Sequence, residues 1–191
     1  TEEGRSELET LRQENALLKQ QYQQLESHNQ FINSVIENLP VAVFAKHATN
    51  EYRINLWNKA AEHIFGISKT QILGKRTHDF WPQHQADAYH LADTQVCQQQ
   101  VNIDIPQEYS HTPHKGTILL HTHKVPIINT QTQQAEYLLA ISEDITEQTL
   151  IKENNDIRTH ILSLMMSGSS LKNTLNTLIT DIENSTQSIC S

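Results

Sequence analysis

The sequence predicts an α+β fold in which an antiparallel sheet carries helices on one face and is flanked by two long helices. Three observations predict it. Apolar residues recur at spacings of three and four from Leu8 to Ile32, and again from Leu150 to Leu164. Between them lie short runs that alternate or stay apolar in the manner of strands. Their order is strand, strand, short helices, long helix and three strands, a pattern of segregated elements rather than of repeating βαβ units.

The first helix is written as heptads. Leu11, Leu18, Leu25 and Ile32 fall at d, and Leu8, Asn15, Tyr22 and Asn29 at a, with Gln-rich flanks. Asparagine at a sacrifices stability to fix register, because two such amides bond each other only when aligned, so this seam predicts a parallel homodimer. A single amphipathic helix lying on its own domain is the alternative. Asn38-Leu39-Pro40 ends the helix, since proline disfavours helical geometry in the residue before it.

A domain begins there. Val41-Ala42-Val43-Phe44-Ala45 reads as a buried strand, and Tyr52 to Trp57 alternates as a second, joined through Thr49-Asn50 into a hairpin. Asn58 is placed to cap a short helix, Lys59 to Phe65, that Gly66 ends, and Ser68 to cap another ending near Gly74. Trp81-Pro82 opens a longer helix, Gln83 to Gln99, with Ala86, Tyr89, Asp93 and Val96 on one face. Val101, Ile103 and Ile105 start a strand, and Thr117 to Val125 form the next after the polar turn His111 to Gly116.

The last strand organises the rest. In Tyr137 to Thr146 both faces are largely apolar, which suits a central strand covered on both sides. Asp144 or Thr146 then caps an outgoing helix, with Glu147 where the helix dipole favours an anion. A buried strand feeding a helix directly can pass strain to it, an arrangement for signalling rather than chemistry.

Composition bounds the function. At 191 residues, one core with helical extensions is the expected count. A hydrophobic share of 37% and a mean hydropathy of −0.54 fit a chain that is partly solvated helix. A net charge of −8 without a basic cluster argues against nucleic acid as a partner. Cys97 and Cys190 lie far apart in no redox or zinc pattern, which fits a cytoplasmic protein. No run approaches the roughly 20 apolar residues of a membrane span, so no membrane contact is expected within this chain. The start Thr1-Glu2-Glu3-Gly4, without an initiator Met or signal-peptide character, reads as a fragment of a longer protein.

With the order of elements set, the residues from about Phe31 to Glu147 resemble a PAS domain. Glu37-Asn38-Leu39-Pro40 resembles the family's entry motif, and Asn58, Ala60, Ala61, Phe65 and Gly66 its asparagine, alanine and glycine signature. Gln71 to Lys75, His78 to Pro82, and Ala86-Asp87-Ala88-Tyr89 with Asp93 are similar to the next landmarks. Lys124-Val125-Pro126-Ile127 resembles the end of the fourth strand, and Asp144-Ile145-Thr146-Glu147 the PAC-type exit motif. The resemblance implies a five-stranded antiparallel sheet whose inner face forms a ligand pocket or a filled core. It also implies a sensory or dimerising role in a larger bacterial signalling protein. Residues 162–183 and then Ile189-Cys190-Ser191 resemble the opening of a GAF domain.

The expected organisation is a coiled-coil helix over 1–36, the PAS domain over 37–147, a signalling helix over 148–166 and the start of a GAF-like domain over 167–191. The pocket is expected to be lined by Val43, Phe44, Trp57, Tyr89, Leu119, Leu139 and Ile141, and the signal to leave through Asp144, Ile145 and Thr146. The dimer seam is expected at Leu11, Asn15, Leu18, Tyr22, Leu25, Asn29 and Ile32.

Chemistry is not expected in this chain. It has no nucleophile and base at a recognisable spacing, no glycine-rich phosphate loop and no paired metal-binding carboxylates, so it is expected not to be an enzyme itself. Eleven histidines raise metal and haem binding. His121-Thr122-His123 places two imidazoles on one strand face, with His111 and His114 in the turn before, but no carboxylate or cysteine follows at a ligand spacing. Ala86 and Tyr89 stand where haem-binding relatives place their histidine, despite His84 and His90 nearby, and the cysteine motif of flavin-adduct relatives is missing, with Cys97 an ordinary half-buried thiol. His160 lacks the context of a kinase phosphoacceptor. No cofactor is required by the sequence, and haem and flavin are disfavoured. The expected function is a sensory and dimerisation module passing a ligand or partner state to a missing cyclic-dinucleotide enzyme or histidine kinase. A ligand-free dimerisation scaffold and a haem or flavin redox or gas sensor are the alternatives.

Overall fold

A computed structural model describes residues 2–166, so the GAF-like segment expected over 167–191 lies outside the described residues. Helix α1 spans Glu2–Asn38 and stops at the Leu39-Pro40 break. Strands β1 (Ala42–His47) and β2 (Arg53–Trp57) form the expected hairpin. They are followed by α2 (Lys59–Phe65), α3 (Lys69–Ile72), a 3-10 turn at Thr77–Asp79 and α4 (Gln83–Gln99). Strands β3 (Ile103–Thr112), β4 (Gly116–Ile128) and β5 (Ala135–Asp144) complete the sheet, and α5 (Thr146–Met166) leaves it. Among the described residues no helix is long and apolar enough to cross a membrane.

The five strands are antiparallel in the order β2-β1-β5-β4-β3, which puts β5 at the centre and explains why both of its faces are apolar. Val101 falls outside β3. Gln100 adopts a left-handed conformation (φ 54°) that closes α4, and the chain needs the next two residues to reach the sheet. Pro106 sits at the register shift between Ile105 and Glu108, a bulge on an edge strand, where a missing N–H costs no ladder bond.

Asn58 joins the first helix to the sheet. Its Oδ1 accepts from Ala61 N (2.9 Å) at the start of α2 and from Val43 N (3.0 Å). Its Nδ2 donates to Ile36 O (2.9 Å) and Val41 O (3.0 Å). Every polar site of this buried amide is thus engaged across three elements. Glu37 adds a second tether, accepting from Lys59 N at 3.1 Å and pairing with Lys69 Nζ at 2.6 Å. The main core lies between the inner sheet face and the helices, around Ile54, Trp57, Ile64, Phe65, Ile72, Trp81, Ile118 and Leu120. A smaller cluster of Val96, Cys97, Ala135 and Leu138 packs beneath the end of α4.

Candidate functional site

Alternation along the strands, shifted once in β2 where Asn55 is left unpaired, decides which side chains enter the space under the helices. From β1 come Phe44 and Lys46, from β2 Ile54 and Trp57, from β4 Leu120, Thr122 and Lys124, and from β5 Ser142. Phe65 of α2, Thr77, Trp81 and Tyr89 of α4 close the space, and Glu108 and Ser110 of β3 form its edge. The aromatic end is a chain of tilted and edge-on rings, with centroids 5.4 Å apart for Phe44 and Trp57, 5.1 Å for Trp57 and Phe65, and 5.7 Å for Phe65 and Trp81. Both indoles are anchored, Trp57 Nε1 donating to Ile67 O (3.0 Å) and Trp81 Nε1 to Ser110 Oγ (3.2 Å).

The other end carries charge. Asp93 of α4 is 1% exposed and binds two ammonium groups, Lys46 Nζ at 2.5 Å and Lys124 Nζ at 2.8 Å. Burial pushes the Asp93 carboxyl up, but the Lys46 and Lys124 charges and their hydrogen bonds outweigh it and hold its pKa below the ordinary value. Lys46 is lowered, chiefly by burial, and also because it shares one carboxylate with the second ammonium. Lys124 also lies 5.6 Å from the centre of the Tyr89 ring.

Tyr89 Oη is buried without a hydrogen-bond partner, and burial raises its pKa to about 12. Ser110 is close enough to influence it: its hydroxyl accepts from Trp81 and keeps its own proton, which favours the Tyr89 phenolate and partly offsets the effect of burial. The cavity volume is about 40 Å³. A water needs roughly 10–15 Å³ by that measure, so the space fits a few waters or a very small polar molecule. Such an occupant would meet an aromatic wall on one side and, on the other, the Tyr89 hydroxyl with two ammonium groups already paired to Asp93 and the Glu108 carboxylate at the edge, a polar end suited to a small neutral hydrogen-bonding molecule.

The expected pocket set divides by strand parity. Phe44, Trp57 and Tyr89 line the cavity. Val43, Leu119, Leu139 and Ile141 do not: each is one residue from a neighbour on the inner face (Phe44, Leu120, Ala140 and Ser142) and so alternates onto the opposite face of the sheet, where Val43 pairs with Ile141. Val43 and Leu119 are nevertheless buried, which is why an apolar strand residue was no guide to its face. His84 and His90 are exposed on α4 and line no part of the cavity, and burial pushes the Cys97 thiol up. The seam residues Leu11, Asn15, Leu18, Tyr22, Leu25, Asn29 and Ile32 lie exposed on α1.

At the exit, Asp144 Oδ1 accepts from Thr146 N (3.0 Å), the first residue of α5, and from Thr146 Oγ1 (2.6 Å). Thr146 Oγ1 in turn accepts from Leu119 N (2.9 Å), and Ile145 N donates to Leu119 O (2.9 Å). The start of α5 is therefore fastened to β4 at a residue flanked by the inward-facing Ile118 and Leu120. Sequence reasoning missed Lys46, Lys124 and Glu108 in the cavity. The signal available was Asp93 on the apolar face of α4, since a carboxylate in that position requires a buried cation.

A family model described as PAS fold matches residues 36–150. A diguanylate cyclase of Vibrio cholerae serotype O1 is 28% identical over 120 residues, which are 62% of this chain and 36% of that protein, so the chain spans about a third of the relative's length. Among solved structures, a PAS domain of an HTR-like protein from Haloarcula marismortui superposes with a TM-score of 0.54 at 17% identity, covering 66% of this chain and 99% of that one. The PAS domain of a protein from Colwellia psychrerythraea gives 0.53 at 18% identity, covering 62% and 97%. These likenesses show the fold.

Proposed function

This chain belongs to the PAS-fold family, and on that premise we propose that it is the sensory and dimerisation module of a bacterial signalling protein, with α5 carrying its output. One observation carries the reading: the first turn of α5 is hydrogen-bonded to Leu119, on a strand whose neighbouring residues pack into the core beside the cavity. A change in cavity occupancy that shifts β4 must stretch or release those bonds, and a ligand acts only if it binds one of the two arrangements better.

The output domain is a cyclic-dinucleotide enzyme in this proposal, the choice favoured over a histidine kinase by the relative named as a diguanylate cyclase. The chain itself is a regulatory rather than catalytic part, placed in the cytoplasm, and dimeric through α1. Amide hydrogen exchange tests the coupling. A cavity-filling Ser142→Leu substitution is expected to alter protection over residues 146–150, and unchanged protection there in a folded variant would sink the proposal.

A ligand-free scaffold is the second reading, and the cavity volume of about 40 Å³ favours it, since pockets for drug-sized molecules measure about 300–1,000 Å³. Native mass spectrometry separates the two. A dimer carrying a defined extra mass supports the sensor, and a dimer that never retains or takes up a small molecule supports the scaffold. A haem or flavin sensor would require the cavity to open far beyond its present volume.

A further inference from the structure

On the outer face of the sheet, away from the cavity, two imidazoles and a carboxylate converge. His121 Nε2 lies 2.7 Å from Asp104 Oδ1, and His123 Nδ1 lies 3.1 Å from the same oxygen. The two rings are 4.5 Å apart between centroids, and all three donor atoms lie within 4.8 Å of one another. The strand alternation puts both histidines on one side of β4, and the β3–β4 register sets Asp104 directly opposite His123. The carboxylate that the local spacing of the histidines lacks is thus supplied by the neighbouring strand.

We propose that Asp104, His121 and His123 bind a divalent transition-metal ion of the zinc class. Two ring nitrogens gathered on one carboxylate oxygen form a three-donor set that one dication can bridge once the three spread around it. Zinc bonds of about 2.0–2.2 Å set tetrahedral neighbours roughly 3.3 Å apart, so the 2.7 and 3.1 Å nitrogen–oxygen separations must widen to that value and the nitrogen–nitrogen separation, at most 4.8 Å, must settle to it. The side chains have that freedom, being 33%, 51% and 55% exposed for His121, His123 and Asp104. Neutral imidazoles ligate through His121 Nε2 and His123 Nδ1, each keeping its proton on the other ring nitrogen.

Glu143 stands opposite His121 in the β4–β5 register but outside this three-donor cluster, and it accepts a 3.2 Å bond from Gln148 Nε2. Asp104 and the two neutral imidazoles are thus the proposed ligands, with water completing the coordination, and a turn of the Glu143 side chain would add a second carboxylate to balance the dication. Two nitrogen donors select zinc, nickel, copper or iron over magnesium and calcium, which call for about six to eight oxygen ligands. A bound ion would fasten the edge strand β3 to β4, next to the residue pair that precedes α5.

The test is a zinc titration of the tag-free, chelator-treated chain against a chromogenic competitor near neutral pH, with His121→Gln, His123→Gln and the control His84→Gln. Wild type and His84→Gln are expected to take up one zinc per chain, unaffected by a large excess of magnesium. Loss of a ligand's supporting partner alone costs about 10–100-fold in metal affinity, so each of the other variants should bind at least about tenfold more weakly. Circular dichroism checks that these surface variants remain folded. No saturable binding by the wild type, equal affinity in His123→Gln, or displacement by magnesium would overturn the proposal.

Discussion

Leu119 and Thr146 are joined through the threonine hydroxyl, which accepts from Leu119 N at 2.9 Å while donating to Asp144 Oδ1 at 2.6 Å. One hydroxyl therefore serves both the sheet and the helix cap, a use open to it because it is donor and acceptor at once. Thr146→Val keeps the shape and removes both bonds, leaving a backbone N–H within the sheet unpaired. The expected cost is about 1–3 kcal/mol. Faster amide exchange at Leu119 and over the first turn of α5 should accompany it, with Thr146→Ser restoring both. Unchanged exchange in the valine variant would show that this link does not hold the helix.

Asp93 is the sole carboxylate bound by Lys46 and Lys124 among the described contacts, so Asp93→Asn leaves two buried ammoniums with an amide between them. Breaking a buried pair by removing one partner costs about 3–5 kcal/mol. Replacing all three together is a different experiment. Lys46→Met, Asp93→Leu and Lys124→Met in one chain should recover most of that loss, because no desolvated charge remains. Urea unfolding of both variants decides it, and a triple variant as unstable as Asp93→Asn would mean that the ions themselves are required.

The same three residues predict an acid response. The folded pKa of Asp93 lies below the ordinary 3.8, so the unfolded chain takes up the proton first as pH falls. Its contribution is complete above the unfolded value and is lost as pH drops through the folded one. The stability gap between wild type and Asp93→Asn should therefore stay constant from about pH 7 to 5 and narrow below about pH 4. A gap independent of pH down to the acid limit would remove Asp93 from the account.

Tyr89 predicts an alkaline response of the opposite kind. Its pKa is raised from 10.0 to about 12, so the folded state holds the proton longer and stability falls between those values. Lys46, whose pKa is lowered by burial, opposes this below its ordinary value of 10.5. Tyr89→Phe removes the tyrosine contribution. At neutral pH the variant should be as stable as wild type or slightly more so, since the hydroxyl has no partner to lose. A loss of about 1 kcal/mol or more on urea unfolding would instead reveal a bound water or ligand at that hydroxyl.

The elements were legible because their punctuation is local. Asn58 caps α2 with its side-chain oxygen, Gly66 ends it at φ 70°, and Pro82 opens α4, each through chemistry local to that residue. The site was legible only in part. Leu139 and Ile141 could not be told from Leu138 and Ala140 by hydropathy, because a central strand is apolar on both faces and a one-residue shift exchanges them. Lys46 and Lys124 look like solvent-facing lysines until Asp93 is brought between them by the packing of α4 on the sheet. Asp104 meets His121 and His123 only through the β3–β4 register, which the bulge after Ile105 helps to set and which no local spacing encodes.

The last prediction concerns α1. Leu11, Leu18, Tyr22, Leu25 and Ile32 are between 41% and 67% exposed, a stripe of apolar side chains at heptad spacing along a helix whose end is fastened to the domain through Ile36 and Glu37. A stripe of that kind is stable in water when a second helix covers it. Asn15 Nδ2 now donates to the Leu11 carbonyl of its own helix at 3.0 Å, and in a parallel pair it can turn to meet its counterpart instead. The chain should therefore sediment as a dimer, and Leu18→Glu with Leu25→Glu should make it a monomer by placing like charges in the seam. Asn15→Leu with Asn29→Leu should raise the dimer's melting temperature while loosening its register and oligomeric state, because the amides trade stability for alignment. Sedimentation velocity over a range of concentrations checks all three, and a wild-type chain that stays monomeric throughout would return α1 to the role of a lone amphipathic helix.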